Sequence, residues 1–373
     1  MNGQPAINGT RSEAVGKTLI VGLGETGLSC ARYLMRQGVP AAVTDSREQP
    51  PGLQRLRDEL PDLALFLGGF QPQVFAAAER IIVSPGVALT EPLVAAALAR
   101  GVPVLGDIEL FAEAVDKPVL AITGSNGKST VTSLLGEMVA ADGYRVGVGG
   151  NIGVPALQLL DQQADFYVLE LSSFQLETTH TLQPLAAAVL NVSEDHMDRY
   201  HDLADYQQTK KSIYRHARYC ISNADDPLTT HGDDDIRFSI SDPAAPFSVI
   251  DKPGNMLAIN GRGLIATDQL RIRGRHNWAN CLAAMALAQA AGISEQAMCK
   301  ALHSYQGLPH RSQWVAQIDG VVWINDSKAT NPGATRAAIE GLDEPVILLA
   351  GGQTKGADMS GLCNTLRQQV KAV

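Results

Sequence analysis

Residues 118–132 read Pro-Val-Leu-Ala-Ile-Thr-Gly-Ser-Asn-Gly-Lys-Ser-Thr-Val-Thr. A short apolar run ends in Gly124, Ser125, Asn126, Gly127, Lys128, Ser129 and Thr130, and a helix-compatible segment, 131–141, follows. Strand, glycine loop, Lys-Ser/Thr and helix together can hold a nucleoside triphosphate. Glycines let backbone N–H groups close on phosphate oxygens, and a helix N-terminus adds positive dipole. Lys128 neutralises charge, and a hydroxyl can reach Mg²⁺. The loop is a short variant, because Ile122 stands where the usual G-x-x-x-x-G-K-[ST] run has its first glycine. The plain alternative is a glycine turn with a surface lysine, and the flanking strand and helix weigh against it.

Other groups with chemical potential also follow apolar runs. Glu170 closes Tyr167-Val-Leu-Glu. An acid there can hold Mg²⁺ directly or through water. It can also cap the following Ser172-Ser173 turn. Residues 191–200, Asn-Val-Ser-Glu-Asp-His-Met-Asp-Arg-Tyr, crowd an imidazole, carboxylates and a guanidinium into one loop. Such a run is usually a solvated loop, but its place beside the phosphate loop favours function. His196 could bind a second cation or accept a proton. Lys210 and Lys211 fall on a helical segment, 205–217, where sequence alone reads them as surface lysines. Asn280 opens an Ala-rich helix, 281–291, as a surface amide or a reader of an adenine edge. Asp326-Ser-Lys328-Ala-Thr330 follows another strand and, with Arg311, suits a nucleotide or an anionic substrate. Lys355, after Gly351-Gly352-Gln-Thr, is a cation at a further strand end, suited to a carboxylate.

These groups need strand ends to hold them. Apolar strands alternate with Ala/Leu-rich helical segments, which is the pattern of parallel sheets covered by helices. The pattern starts three times. The first start is Lys17-Thr-Leu-Ile-Val-Gly22-Leu-Gly24-Glu-Thr-Gly27, with Asp45 at the end of the next strand. Alone, this G-x-G-x-x-G run reads as an NAD fingerprint. Ser84-Pro85-Gly86 ends another strand of the same unit. The second start is the Lys128 loop, with strands 166–170 and 187–192 expected in one sheet. The third follows His310-Arg311, with a strand at 321–326 and a buried strand at 346–352. Residues 238–270 read as a small antiparallel excursion or a long loop. The restarts give three consecutive α/β domains, 1–106, 107–308 and 309–373.

The chain has 373 residues, 45% hydrophobic and 18% charged, with a net charge of −9. That balance fits a soluble globular protein and disfavours general nucleic-acid binding. No apolar run approaches the ~20 residues of a membrane span. The polar start, 1–16, has no apolar signal core and reads as a frayed terminus. Five scattered cysteines without a C-x-x-C argue against a disulfide framework or structural zinc and fit a reducing cytoplasm.

Together these segments resemble the Mur ligase family of bacterial peptidoglycan synthesis, from about Val21 to the end of the chain. The resemblance is carried by Gly106-Asp-Ile-Glu-Leu-Phe111, the Lys128 loop and Gly149-Gly150-Asn151-Ile-Gly153. It continues through Leu169-Glu170-Leu-Ser-Ser-Phe-Gln-Leu-Glu-Thr178, Glu194-Asp-His196-Met-Asp-Arg-Tyr200, Gly307-Leu-Pro-His310-Arg311 and Asn325-Asp326-Ser-Lys328-Ala-Thr330-Asn331. The Leu-Ser-Ser-Phe-Gln-Leu-Glu and His-Met-Asp-Arg-Tyr runs resemble the members that add D-glutamate. The loop and the Asn/Asp segments are shared with folylpolyglutamate synthases, which are the alternative. The Asp-Asn-Pro-Arg segment of the diaminopimelate- or lysine-adding members is absent.

The resemblance implies a site. The first domain, Rossmann-like, would bind the UDP of UDP-N-acetylmuramoyl-L-alanine rather than NAD, through Gly24, Thr26, Asp45, Ser46, Arg47, Ser84 and Gly86. Glu25 stands where a neutral residue is expected. The P-loop-type central domain would bind ATP through residues 124–130, with Asn280, Arg311 and Asp326. Ser129 and Glu170 would hold one Mg²⁺, and His196 with a carbamylated Lys210 a second. Asn151 and His196 would face the muramoyl-alanine carboxylate, and Lys328, Thr330 and Lys355 would hold D-glutamate. Lys128, His196 and Lys210 would be the catalytic residues. The implied reaction passes through an acyl phosphate in a monomeric, cytoplasmic enzyme without nucleic-acid partners or membrane insertion. The stretch after Pro309 is short for the Rossmann-like third domain that the family carries, and a Ser-Pro-Ala-Cys-Ala-Ser-type segment is absent. An incomplete C-terminal domain, ending in a strand at 368–373 with an exposed sheet edge, is therefore expected, with weak or absent ligase activity.

Overall fold

The computed structural model describes residues 18–251, 254–342, 344–352 and 359–373. The N-terminal stretch 1–16 and Lys355 lie outside them. The chain divides into two compact units. One holds the chain up to Val115 with Pro155–Asp161 and Glu177–Leu182; the other holds Asp116–Val154, Gln162–Leu176 and Gln183–Val373.

The first unit alternates strand and helix: β1 (Thr18–Val21), α1 (Glu25–Arg36), β2 (Ala41–Asp45), α2 (Leu53–Glu59), β3 (Ala64–Leu67), α3 (Pro72–Ala77), β4 (Arg80–Val83), α4 (Pro92–Ala99), β5 (Val104–Leu105) and α5 (Asp107–Ala114). All pairings are parallel, in the order β3-β2-β1-β4-β5. β1 and β2 are buried at every position, as strands covered on both faces must be. Leu19, Val21, Ala42, Phe75, Ile81 and Val94 fill the core. The β1–α1 turn fixes how close the helix comes to the sheet. A Cβ on Gly27 would lie 1.9 Å from the Gly22 carbonyl oxygen, so only glycine fits there.

The second unit is built on a nine-stranded sheet. Its first elements are β6 (Val119–Thr123), α6 (Lys128–Ala141), β7 (Val146–Gly150), β8 (Phe166–Glu170), α8 (Ser173–Leu176), β9 (Ala186–Val189) and α9 (Leu203–Lys211). The short α7 (Ala156–Leu159) belongs to the first unit. Next come β10 (Tyr219–Asn223), β11 (Ile236–Ser239), β12 (Phe247–Asp251), β13 (Asn255–Ile259) and β14 (Arg262–Ala266), then α10 (Arg275–Ala290) and α11 (Glu295–Ser304). The order is β14-β13-β12-β11-β10-β9-β6-β8-β7. Strands β6 to β12 pair in parallel, whereas β12-β13-β14 is an antiparallel extension at one edge. That extension is the excursion expected at 238–270. Buried Leu134, Leu135 and Met138 of α6 and Leu282, Met285 and Leu287 of α10 join the core with Leu120, Ile122 and Val168.

Helix bounds shift from expectation. α6 starts at Lys128, inside the glycine loop motif, and α10 starts at Arg275. α9 ends at Lys211, where a 3₁₀ turn, Ser212–Tyr214, takes over.

The last stretch of the second unit carries a hairpin, β15 (Gln313–Ile318) and β16 (Val321–Asn325), then α12 (Pro332–Glu340), β17 (Val346–Ile347), α13 (Ser360–Gln369) and β18 (Val370–Ala372). β16 pairs antiparallel with β15, and β18, the strand expected at 368–373, pairs in parallel with β17. The buried strand expected at 346–352 is not there. Only Val346 and Ile347 are in strand form, and Ile347 and Leu349 are 64% and 81% exposed. A strand is buried on both faces only when a layer covers each one. Among the described residues, β17 has β18 as its sole strand neighbour. No described helix is long and apolar enough to cross a membrane.

Candidate active site

Three adjacent strands of the second unit set the site. β6 lies between β9 and β8, with Thr123 opposite Val189 and Ile122 opposite Glu170. Their carboxyl ends therefore present the glycine loop, Asn191 and Glu170 side by side, where open parallel sheets bind ligands. Gly127, at φ +84°, is the N-cap of α6, a left-handed position that suits glycine. As at any helix start, the first N–H groups of α6 have no partner within the helix and can face an anion.

Asn191 braces the loop from the next strand end. Its Oδ1 accepts from the Asn126 N–H at 2.8 Å, and its Nδ2 donates to the Asn126 carbonyl at 3.1 Å. The Ser125 hydroxyl donates to the Ser193 carbonyl at 2.9 Å and accepts from the Ser193 N–H at 2.9 Å.

Two lysines converge on this loop. Lys128 Nζ donates to the carbonyls of Gly124 and Ser125, at 2.8 and 2.9 Å. Lys210 Nζ donates to the same Gly124 carbonyl at 2.9 Å and lies 4.4 Å from the Tyr206 ring centre. Lys210 is 1% exposed, so the sequence-level reading of a surface lysine is corrected: α9 turns it inward. Burial, and then the Lys128 charge, hold the Lys210 amine well below its usual range, against the pull of Asp195 and Glu170. Burial also lowers the Lys128 value. The Tyr206 hydroxyl is pushed up to about 12, chiefly by burial, and stays protonated.

Glu170 is 3% exposed. Its Oε1 accepts from Asn151 Nδ2 at 2.7 Å, and its Oε2 is buried without a hydrogen-bond partner among the described residues. A bare buried carboxylate oxygen is costly without a cation. The capping role for the Ser172-Ser173 turn falls instead to Gln175, whose Oε1 accepts from the Ser172 N–H.

His196 sits at φ +58°, a left-handed conformation rare for a side chain of its size and a mark of functional loops. Its ring packs edge-on against Phe174, centres 4.8 Å apart, and its Nε2 lies 3.7 Å from Asp195 Oδ2. Phe174, Tyr200 and Tyr206 form a row of rings from His196 towards Lys210.

Later segments reach the same loop. Arg311 Nη2 donates to Ser129 Oγ at 2.9 Å. A Cβ on Gly127 would lie 2.3 Å from Asn280 Oδ1, so Asn280 is packed directly on the loop. Asn280 is held in turn by Asn277, whose Oδ1 accepts its amide at 3.0 Å.

In the first unit, Asp45 closes β2 under the glycine turn. Its Oδ2 accepts from the Leu23 N–H at 2.7 Å, and Arg47 Nε and Nη2 reach its two oxygens at 2.8 and 2.7 Å. Burial alone would raise its pKa, but the Arg47 guanidinium and the Arg47 and Leu23 amides hold the carboxyl below its usual value. Ser84 Oγ donates to the Gly22 carbonyl at 3.0 Å. Gly24 caps α1, Thr26 is half-buried in its first turn, and Ser46, Arg47 and Gly86 are exposed.

The chain matches the Mur ligase MurD-like N-terminal domain over residues 16–106, the Mur ligase middle domain over 122–288, and the Mur ligase glutamate ligase domain over 310–373. It is 52% identical to the UDP-N-acetylmuramoylalanine--D-glutamate ligase of Nitrosococcus oceani, across 95% of this chain and 81% of that protein. The chain belongs to the Mur ligase family. A protein of the same description from Marinobacter nauticus is 50% identical to this Mur ligase, over 96% of it and 82% of the relative. Among solved structures, the UDP-N-acetylmuramate-alanine ligase MurC of Thermotoga maritima shares the fold, with a TM-score of 0.59 at 19% identity over 96% of this chain and 85% of that one.

In this Mur ligase, Gly124, Ser125, Gly127, Lys128, Ser129, Lys210, Asn280 and Arg311 gather at one loop, with Glu170 and Asn151 at the neighbouring strand end. Asp326 instead accepts from the Ser312 N–H at 3.0 Å, and Lys328 and Thr330 are exposed. Three residues escaped sequence reading. Asn191 stands at a strand end, where the signal existed. Tyr206 gave none, because a helix-interior tyrosine is ordinary in its place. Asn331, although part of the 325–331 run that carries the resemblance, gave no sign of its own role, because a helix-cap asparagine is ordinary there.

Proposed function

We propose that this Mur ligase joins D-glutamate to UDP-N-acetylmuramoyl-L-alanine at the expense of ATP, in peptidoglycan precursor synthesis. The relatives at about half identity over nearly the whole chain carry that description. The single structural observation in support is the meeting of Lys128 and Lys210 at the Gly124 carbonyl, beside a bare Glu170 oxygen.

The chemistry follows from charge. A carboxylate repels a nucleophile and has no good leaving group. Transfer of the ATP γ-phosphoryl to the L-alanine carboxylate breaks the bond to ADP and forms an acyl phosphate. The D-glutamate amine then attacks the carbonyl carbon, the C–O bond to phosphate breaks, and the amine proton leaves to a base. Phosphoryl transfer asks mainly for alignment and neutralisation. The loop N–H groups and Lys128 supply both, while Arg311 holds the Ser129 hydroxyl. Asn151 and His196 would face the acceptor carboxylate.

Magnesium fits these residues. Ser129 and Glu170 offer one hydroxyl and one carboxylate, and no three His, Cys, Asp or Glu side chains converge among the described residues. A sparse donor set suits an ion that keeps waters and phosphate oxygens. Bound there, Mg²⁺ would supply charge neutralisation for the transferring phosphoryl group. His196 and a carbamylated Lys210 would serve a second ion. Carbamate formation joins the amine nitrogen to CO₂ with loss of a proton, which requires a neutral amine. The buried Lys210 amine, held below its ordinary pKa, supports that requirement.

In the first unit, Gly24, Thr26, Ser46, Arg47, Ser84 and Gly86 would surround the UDP group. The earlier NAD reading needs Asp45 free for a ribose, but both its oxygens are engaged by Leu23 and Arg47. D-Glutamate would meet Lys328, Thr330 and Lys355. The division into three domains, at about 106 and 308, belongs to the same proposal. A thermal shift with UDP-N-acetylmuramoyl-L-alanine, and none with NAD or a folate, tests it; a folate shift alone would replace it with a folylpolyglutamate-synthase-like function.

A further inference from the structure

We infer that Asn331 is a positioning residue that ties the first turn of α12 to the nucleotide loop. Its two ends do different work. Oδ1 accepts from the Ala334 N–H at 2.8 Å and caps the helix. Nδ2, the opposite end of the same amide, donates to Asn126 Oδ1 at 3.1 Å and to Asp195 Oδ2 at 3.4 Å. Asn331 is 9% exposed, so these contacts are made away from bulk water. Asn126 is the loop residue that Asn191 clasps from the other side. The Asn191–Asn126–Asn331 row therefore runs from the end of β9, through the loop, to α12.

The packing around it is close. A Cβ on Gly333, in the first turn of α12, would lie 3.2 Å from Ser193 Oγ and 3.4 Å from Asn331 Oδ1. Few residue types can take the place of Asn331. Ser, Thr and Asp cap helices, but none offers an amide donor at that reach. With Arg311 on Ser129, the carboxyl-terminal stretch then grips the loop at two points, one on each side of Lys128. The segment 326–330 leads directly into Asn331, so the same tie fixes where Lys328 and Thr330 stand relative to the loop.

The test separates the cap from the tie. Asn331→Asp keeps the cap and loses the donor; Asn331→Ser does the same without adding charge; Asn331→Ala loses both. Hydrogen exchange on the ligand-free protein should quicken about tenfold in the loop peptide, 124–130, for Asn331→Asp and Asn331→Ser, with the α12 peptide, 332–340, unchanged. In Asn331→Ala both peptides should quicken. Binding of Mg²⁺–β,γ-methylene-ATP, read by calorimetry, should weaken about tenfold in the first two variants. In turnover, KM for ATP should rise while KM for the UDP substrate holds. Loop exchange equal to wild type in both capped variants overturns the inference. Loop exchange that rises in a protein that binds no nucleotide leaves the tie standing and overturns the ATP-site reading on which the affinity effect rests.

Discussion

Lys128 and Lys210 share one acceptor: both Nζ atoms donate to the carbonyl oxygen of Gly124, from 2.8 and 2.9 Å. One lysine comes from the start of α6 and the other from the end of α9. Lys210 is buried and Lys128 half-buried, and the Lys128 charge makes a charge on Lys210 harder to keep. Lys210, the more enclosed by its surroundings, gives way first, because the Lys128 charge adds to its burial.

That arrangement makes stability pH-dependent with a definite sign. The native Lys210 value lies below the unfolded one, so between them the unfolded chain binds a proton that the native protein lacks. Stability then rises with pH across that window, by at most about 1.4 kcal/mol per pH unit for one group. Lys210→Met should flatten the slope between neutral pH and the usual lysine range, measured by urea unfolding. Parallel slopes in the two proteins would remove Lys210 as the source. With ¹³C-labelled CO₂, a carbamate carbon resonance should appear in the wild type and be missing from Lys210→Met.

Glu170→Gln keeps the acceptor that Asn151 uses but replaces the charged oxygen. Nucleotide affinity measured in EDTA should hardly change. The gain on adding Mg²⁺ should vanish, and kcat should fall by about 10²-fold or more, as for loss of one charge-stabilising group. An intact Mg²⁺ effect would place the ion elsewhere.

Gly127→Ala combines two faults. The residue sits at φ +84°, and the new Cβ would meet Asn280 Oδ1 at 2.3 Å. Strain of about 1–3 kcal/mol should distort the loop and weaken nucleotide binding at least tenfold. Adding Asn280→Ala removes the clash but not the backbone strain, so affinity should stay below that of Asn280→Ala alone. Equal affinities would show that the left-handed turn is dispensable.

Asp45 tests the first unit. Its carboxyl titrates below the ordinary range, so its stabilisation is present above the usual carboxylate pKa and is lost as pH falls through the native value. Asp45→Asn should cost about 1–3 kcal/mol near neutrality and erase that part of the acid-end loss. Unfolding curves from neutral pH down to acid provide the check, and an unchanged acid limb would count against the Arg47–Asp45 pair.

The sequence made the strand-end architecture readable because glycine loops and apolar runs are local signals. The Lys128 loop, Glu170 and Asp45 stand where their spacing put them. Lys210 could not be read without help from the family resemblance. Its inward turn depends on α9 packing over the loop, a contact between residues 86 positions apart. The tie made by Asn331 was unreadable for the same reason, since its partner Asn126 lies 205 positions away. The strand expected at 346–352 failed on a different ground. Apolar composition says that a segment can be buried, but burial needs a layer to cover it, and the run itself carries no record of that layer.

The most direct measurement is ADP formation from ATP with UDP-N-acetylmuramoyl-L-alanine and either D- or L-glutamate. ADP release that needs the UDP substrate, responds to D- but not L-glutamate, and disappears in Lys128→Ala is the expected result. ADP release indifferent to the UDP substrate, equal with both glutamates, or intact in Lys128→Ala would contradict the assignment.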